Sequence, residues 1–165
     1  LIVVSAGVYN SINSTIDSRD EININEALPL VELSNTRNQK SVFGVVSDKE
    51  DDNLSHAEYA IGNFVSIIEK KSLNDRRLIV NAIGEGGIWV TNINGNLQNG
   101  DYITTCEIPG HGMKQDSEFL ANYTVAKITC DCDFDLNSNI YHCEEFEWNG
   151  QNYKRAFVGC TYHCG

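Results

Sequence analysis

The stretch Ala82–Lys127, AIGEGGIWVTNINGNLQNGDYITTCEIPGHGMKQDSEFLANYTVAK, decides the fold. Short apolar pieces are joined by glycine punctuation at close spacing: Gly84-Glu85-Gly86-Gly87, Asn94-Gly95, Asn99-Gly100-Asp101 and Pro109-Gly110-His111-Gly112. Turns of this kind need backbone angles that Gly adopts cheaply, and Asn or Asp less so. The stretch is therefore a tightly turned β module. Its turns belong to architecture and do not by themselves name a chemistry.

Strand signals extend outward on both sides. Ile2–Tyr9, Leu28–Leu33, Ser41–Ser47, Leu78–Ile83, Ile88–Ile93, Asp101–Thr105 and Tyr123–Cys130 are short, rich in Val, Ile, Thr and aromatics, and bounded by polar or glycine-containing turns. Asn10–Asn25 is polar and reads as a surface loop. From Ser55 to Lys71, Ala57, Ala60, Ile61, Phe64, Val65 and Ile68 recur at helical spacing, which predicts one helix over about 55–71. Asn53 or Ser55 would cap it, after the acidic run Asp48–Asp52. That run lacks the alternating carboxylates of a calcium loop.

Asn149-Gly150 is the preferred two-residue hairpin turn. Closing the chain there sets Trp148 against Gln151, Phe146 against Tyr153, Glu145 against Lys154 and Glu144 against Arg155. An aromatic pair and two opposite-charge pairs fall into register together. The expected fold is a single mainly β, turn-rich domain over 1–165, with one helix and a cysteine-rich C-terminal hairpin region over 130–165.

Net charge is −11, from 23 acidic and 12 basic side chains. That balance disfavours nucleic acid, whose phosphates need clustered cations, and the basic pairs are confined to Lys70-Lys71 and Arg76-Arg77. It equally disfavours an anionic membrane surface, and no apolar run reaches the length of a membrane span. The chain opens on Leu1-Ile2-Val3-Val4 and not on Met, so the expectation is a piece of a longer or processed protein.

All six cysteines lie beyond residue 105: Cys106, Cys130, Cys132, Cys143, Cys160 and Cys164. In a strand, Cys130 and Cys132 share a face and so would not bond each other. An even count in a β-rich chain favours a disulfide framework in an oxidising compartment. The alternative is a metal: Cys130, Cys132, His142, Cys143, Cys160, His163 and Cys164 supply zinc's preferred donors, though C-x-C and C-x3-C differ from the usual zinc knuckles. Buried reduced thiols are the third reading. Sequons at Asn13, Asn53 and Asn122 point to surface exposure.

Catalytic signals are sparse. Gly84–Gly87 lacks the Lys-Ser/Thr of a phosphate loop, and reads as a bulge or tight turn. His56, His111, His142 and His163 have no nucleophile at motif spacing. Glu85, set between glycines, and Asp101, at a strand entry, are the candidate acid and base if the fold brings them together. Otherwise Asp101 caps a turn. No cofactor motif is present.

The succession Val42-Phe43-Gly44-Val45-Val46-Ser47, Gly100-Asp101-Tyr102-Ile103-Thr104-Thr105-Cys106, Pro109-Gly110-His111-Gly112-Met113-Lys114 and Val125-Ala126-Lys127-Ile128 resembles the β-rich C-terminal domain of viral and phage fibre or appendage proteins. Related domains include the intramolecular-chaperone autoprocessing domain of phage neck appendages, classed among glutamic-type peptidases. The closing Cys160-Thr161-Tyr162-His163-Cys164-Gly165 is similar to the C-termini of related proteins from large DNA viruses. The resemblance spans about Leu28–Ile128. It implies a virion-surface, extracellular domain, homotrimeric, which registers a stalk or faces other virion proteins or a host receptor. Cys106 stands where the family usually has Ser, and the cysteine-rich tail is a second departure. No motif here matches the peptidase's active acid, so autoprocessing is carried to no residue. A structural or interaction protein is therefore the leading expectation, with an autoproteolytic domain and a zinc-stabilised binding module as the alternatives.

Overall fold

The computed structural model describes residues 1–8, 29–49, 56–61, 64–69 and 78–164. Among the described residues twelve strands run in the order β1 (Ile2–Val8), β2 (Pro29–Leu33), β3 (Val42–Lys49), β4 (His56–Ile61), β5 (Phe64–Glu69), β6 (Leu78–Asn81), β7 (Ile83–Thr91), β8 (Tyr102–Thr105), β9 (Gly112–Lys114), β10 (Thr124–Ile128), β11 (His142–Trp148) and β12 (Gln151–His163). The mainly β fold expected from the sequence is what the chain adopts.

The second half of the chain closes on itself. Its strands follow the order β10-β8-β9-β7-β12-β11, and β10 also pairs with β12. One edge of the long β12 meets β7 from Arg155 to His163. The other edge is shared between β11, from Gln151 to Phe157, and β10, from Cys160 to Tyr162. Five strands thus form a small barrel, and β11 extends β12 beyond it. Closure removes the free edges that an open sheet of this length would expose.

Alternation along β12 sets inside and outside. Ala156, Val158, Cys160 and Tyr162 are buried, with Ile88 and Val90 of β7, Ile103 of β8 and Ala126 and Ile128 of β10 in the same core. A register shift in β10 between Thr124 and Ala126 buries three successive residues, Thr124, Val125 and Ala126. The turns behave as their residues dictate. Asn149 and Gly150 both have positive φ, at 51° and 77°, and all four predicted cross-strand pairs of the hairpin are in place. Pro109-Gly110 forms a tight turn with the His111 N–H donating to Ile108 O at 3.1 Å and Gly110 at φ 72°, as a type II turn requires.

The first half supplies an antiparallel sheet of order β2-β1-β3-β6. It docks on the barrel through the Pro109–Gly112 turn. The Ile2 N–H donates to Gly110 O (2.8 Å), the Gly110 N–H to Ser34 O (2.8 Å), and the Ser34 N–H to Ile2 O (3.1 Å). Ile2 and Val45 enter the barrel's own core. The two sheets therefore share one core.

Two local expectations are corrected. The helix expected over 55–71 is instead the antiparallel pair β4–β5, with Ile61 opposite Phe64 and His56 opposite Glu69. The apolar positions that fit a helical stripe also fit two short strands, and Gly62-Asn63 between them is a hairpin-turn sequence. Gly84–Gly87 is neither bulge nor turn. It lies inside β7, paired in continuous register with Gly159–Tyr162. The glycines are needed because rings lie across them: a Cβ on Gly86 would come within 2.4 Å of Tyr162 Oη, and one on Gly87 within 2.3 Å of Phe157 Cζ. The polar loop expected over Asn10–Asn25, and the sequons at Asn13 and Asn53, lie outside the described residues.

Candidate functional site

The two candidate acids do not meet. Glu85 lies within β7 opposite Thr161, whereas Asp101 stands just before β8, and β9 runs between those two strands. Asp101 is also committed elsewhere. Its Oδ2 accepts from the Gln98 N–H at 2.7 Å and pairs with Lys114 Nζ at 2.7 Å. It caps the turn, as its position after Asn99-Gly100 suggests.

The cysteines are free thiols, which corrects the expected disulfide framework. The strand register pairs no cysteine with another. Cys143 faces Ala156, Cys132 bridges to Leu97, and Cys160 faces Ile128 on one side and Gly86 on the other. Cys106 lies apart, in a separate small cluster with Ile108 and Met113. Burial pushes the Cys160 thiol up to about 12 and the Cys132 and Cys164 thiols up to about 11. These are packing residues, as buried thiols often are.

Metal ligation gains no support from the geometry. Among the described residues no three His, Cys, Asp or Glu side chains gather where they could hold an ion. His142 faces Trp89 on the outer surface, while His163 stands edge-on to Tyr102. The alternating carboxylates of Asp131–Asp135 are engaged in the loop itself: Asp131 accepts from the Asn99 N–H, Asp133 from Tyr141 Oη–H and the Asp135 N–H, and Asp135 from the Asn137 N–H. Asn122, the one sequon inside the described residues, is exposed.

Where the structure does concentrate functional side chains is the outer face of β7, β12 and β11. Odd-numbered residues of β12 point outward there, and Arg155 is the centre. Its guanidinium lies 5.0 Å from the Trp89 ring and 5.4 Å from the Phe146 ring. Nε donates to Glu144 Oε1 at 2.6 Å, and Nη1 lies 3.3 Å from His111 Nε2. His111 stacks on Phe146, and its Nδ1 lies 2.8 Å from Pro109 O, so Nδ1 carries the proton and Nε2 accepts from Arg155. Burial, then the Arg155 charge, lowers the His111 pKa. Arg155 in turn lowers that of Glu144. Phe157 and His142 flank Trp89 and are open to solvent.

This face combines an ordered cation with aromatic surface, the side chains that dominate protein-binding hot spots. It holds no nucleophile–base pair. The Glu144–Arg155 contact was legible from the hairpin register. His111 and Trp89 come to it from outside the hairpin, and no local pattern announces them. A second exposed feature is the β9–β10 loop, which carries Phe119 and Leu120 outward, 81% and 60% exposed.

Comparison of the chain with protein-family models, with curated proteins and with solved structures finds no match.

Proposed function

We propose that this chain is an interaction domain without catalytic activity, the C-terminal β domain of a viral fibre or surface appendage. In that role it sits at the virion surface, contacts copies of itself as a homotrimer, and faces other virion proteins or a host receptor. One observation carries the interaction reading: the outer face of β7, β12 and β11 presents Trp89, Phe146 and Phe157 around an Arg155 already held by Glu144 and His111. Such a surface binds with little ordering cost, because its side chains are fixed beforehand. The viral setting rests on the order of turns from Val42 to Ile128, and an acidic chain at net charge −11 fits a repulsive particle surface.

The test is twofold. Immunogold labelling with an antibody to this domain should decorate the outside of particles that carry the gene. Particles without label, or label confined to infected cells, sink the viral reading. Expression of the full-length gene product should give the same band pattern for wild type, Glu85→Gln and Asp101→Asn. A cleavage product lost in either variant would replace the interaction reading with autoprocessing.

A further inference from the structure

The β9–β10 loop, residues 115–123, leads into β10 through the triplet Asn122-Tyr123-Thr124. Three residues before Asn122 stands Phe119, which at 81% is the most exposed large apolar side chain among the described residues. The fold pins this loop from beneath. Gln115 is 4% exposed. Its Nε2 donates to Ser117 O at 2.9 Å and to Phe119 O at 2.8 Å, while its Oε1 accepts from Thr124 Oγ1 at 2.7 Å. The Ala121 N–H donates to Thr124 Oγ1 and the Thr124 N–H to Ala121 O, both at 3.0 Å. These bonds close a four-residue turn with Asn122 and Tyr123 at its centre. None of them uses the Asn122 amide, and Asn122 is exposed.

Asn-x-Thr without proline at the middle position is the acceptor triplet for an N-linked glycan, and it is used where the asparagine lies on a surface loop. The setting of Asn122 meets that requirement and adds a second feature. Three residues of chain, at most about 11 Å, separate Asn122 from Phe119, and the intervening turn shortens the gap. That is within the combined reach of a phenylalanine side chain and an asparagine bearing a sugar ring. A pyranose has an apolar face of C–H bonds and a polar rim of hydroxyls, so it fits face-on over an aromatic ring with its rim in water. The pinned loop holds Phe119 in solvent at a cost in solvation free energy, and such a cover recovers it. Asp116 and Glu118 in the same loop are exposed. A neutral sugar meets those carboxylates without charge repulsion.

We propose that Asn122 is an N-glycosylation site and that the first N-acetylglucosamine of its glycan covers Phe119. The inference rests on the reading of this chain as an extracellular domain, since the transferring enzyme works in the secretory compartment. The donor is an oligosaccharide linked through pyrophosphate to a lipid. Asn122 Nδ2 attacks the anomeric carbon of its first sugar; a C–N bond forms, the C–O bond to the pyrophosphate breaks, Nδ2 gives up one proton, and the lipid pyrophosphate leaves. Nothing is oxidised or reduced. Transfer precedes closure of the loop. In the folded chain the Thr124 hydroxyl, part of the acceptor triplet, is committed to Gln115 on a residue only 1% exposed. The glycan then stabilises the loop it was added to, by shielding Phe119 only once the turn has formed.

The test expresses the full chain in cultured animal cells behind a cleavable signal peptide and recovers it from the cells' secretory membranes. Release of N-glycans by amidase in H₂¹⁸O should leave an isotope mark at position 122, read by peptide mass spectrometry, and Asn122→Gln should lack it. An unmarked Asn122, or marks confined to Asn13 and Asn53, overturns the site. The readout is made on denatured peptides, so it holds whether or not a variant folds. The Phe119 contact is tested on chain trimmed by endoglycosidase to one sugar at Asn122, with Asn13→Gln and Asn53→Gln present throughout. Urea unfolding should show its folded-to-unfolded ratio about three- to tenfold above that of Asn122→Gln. In a Phe119→Ser background that advantage should vanish, as a double-mutant cycle requires of two groups in contact. No advantage, or one that Phe119→Ser leaves unchanged, overturns the contact. Site occupancy is read on a chain sent into the secretory pathway, so an unmodified Asn122 leaves the particle-labelling result and the viral reading untouched.

Discussion

Arg155 and His111, 44 residues apart in the chain, meet at 3.3 Å with the guanidinium donating to the neutral imidazole's Nε2. The arrangement has a preferred protonation state. A proton on Nε2 would set an imidazolium, on a buried His111, against the Arg155 guanidinium.

The first prediction is a loss of stability on mild acidification. The His111 pKa is lowered in the folded chain, first by burial and then by Arg155. Between its ordinary value of 6.5 and the lowered one, the unfolded chain binds more protons, so stability rises with pH across that window. The contribution is complete above about 6.5 and is lost as pH falls below it. The other groups around His111 are Arg155, which stays charged, Glu144, the amino terminus of Leu1, and the Cys106 thiol, which donates to the His111 carbonyl. Glu144 is lowered from 4.5 and loses its contribution only at more acid pH, so the two windows separate. Urea midpoints measured from pH 7.5 to 5 should fall for wild type and fall less for His111→Gln, the residual slope coming from the Leu1 amino group, which burial also lowers. Equal slopes in both proteins would remove His111 as the cause.

The second concerns thiol chemistry. Under denaturing, non-reducing conditions an Ellman titration should count six thiols per chain, as all six cysteines are free. In the native protein Cys132, Cys160 and Cys164, raised to about 11 or 12, should react orders of magnitude more slowly than a free thiol near 8.5. A denatured count of four or fewer would mean that bridges form.

The third compares two neighbouring glycines. Gly86→Ala should cost ~1–3 kcal/mol, since its Cβ strikes Tyr162, which is buried and donates to Gly87 O. Gly87→Ala should cost less than about 1 kcal/mol, because Phe157 is 45% exposed and can swing aside. The ring distances alone, 2.4 and 2.3 Å, would rank them the other way. Chemical denaturation of both variants decides, and Tyr162→Phe should soften the cost of the first by removing the struck hydroxyl.

The fourth addresses the loop under the Phe119 tip. Gln115→Leu leaves two carbonyls and the Thr124 hydroxyl without their partner. The expected cost is ~2–3 kcal/mol. Hydrogen exchange should rise at Phe119 and Ala121 before it rises in the barrel. Uniform acceleration throughout would show that Gln115 supports the whole core and not the loop.

How much could be read from the residues depended on range. Asn149-Gly150 announced a hairpin and the four cross-strand pairs named from it, which are part of a seven-pair register, because turn type and register are local. Asp101 as a turn cap was legible for the same reason. The interval 55–71 misled, since Ala57, Ala60, Ile61, Phe64, Val65 and Ile68 satisfy a helical period and a paired-strand pattern alike. Gly84–Gly87 looked like a turn because nothing local shows that Tyr162 and Phe157, some seventy residues later, fill the space above it. The same limit hid the closing β10–β12 pair, the parallel contact of Val90 with Gly112, and the approach of His111 to Arg155. Gln115 gave no signal, as its value lies in three bonds and not in its type.

The divided edge of β12 has a kinetic consequence. Because Ile83 pairs with His163 and Ile128 with Cys160, the barrel waits on contacts spanning up to 80 residues. Loop closure on that scale makes folding slow relative to helical domains of equal size. Until β12 arrives, β7 and β10 each present an unsatisfied row of backbone groups, with the glycine run of β7 among the barest. A chain stalled at that stage offers two templates for pairing with its neighbours. Refolding yield should therefore fall steeply with protein concentration, well before the native state shows any tendency to precipitate.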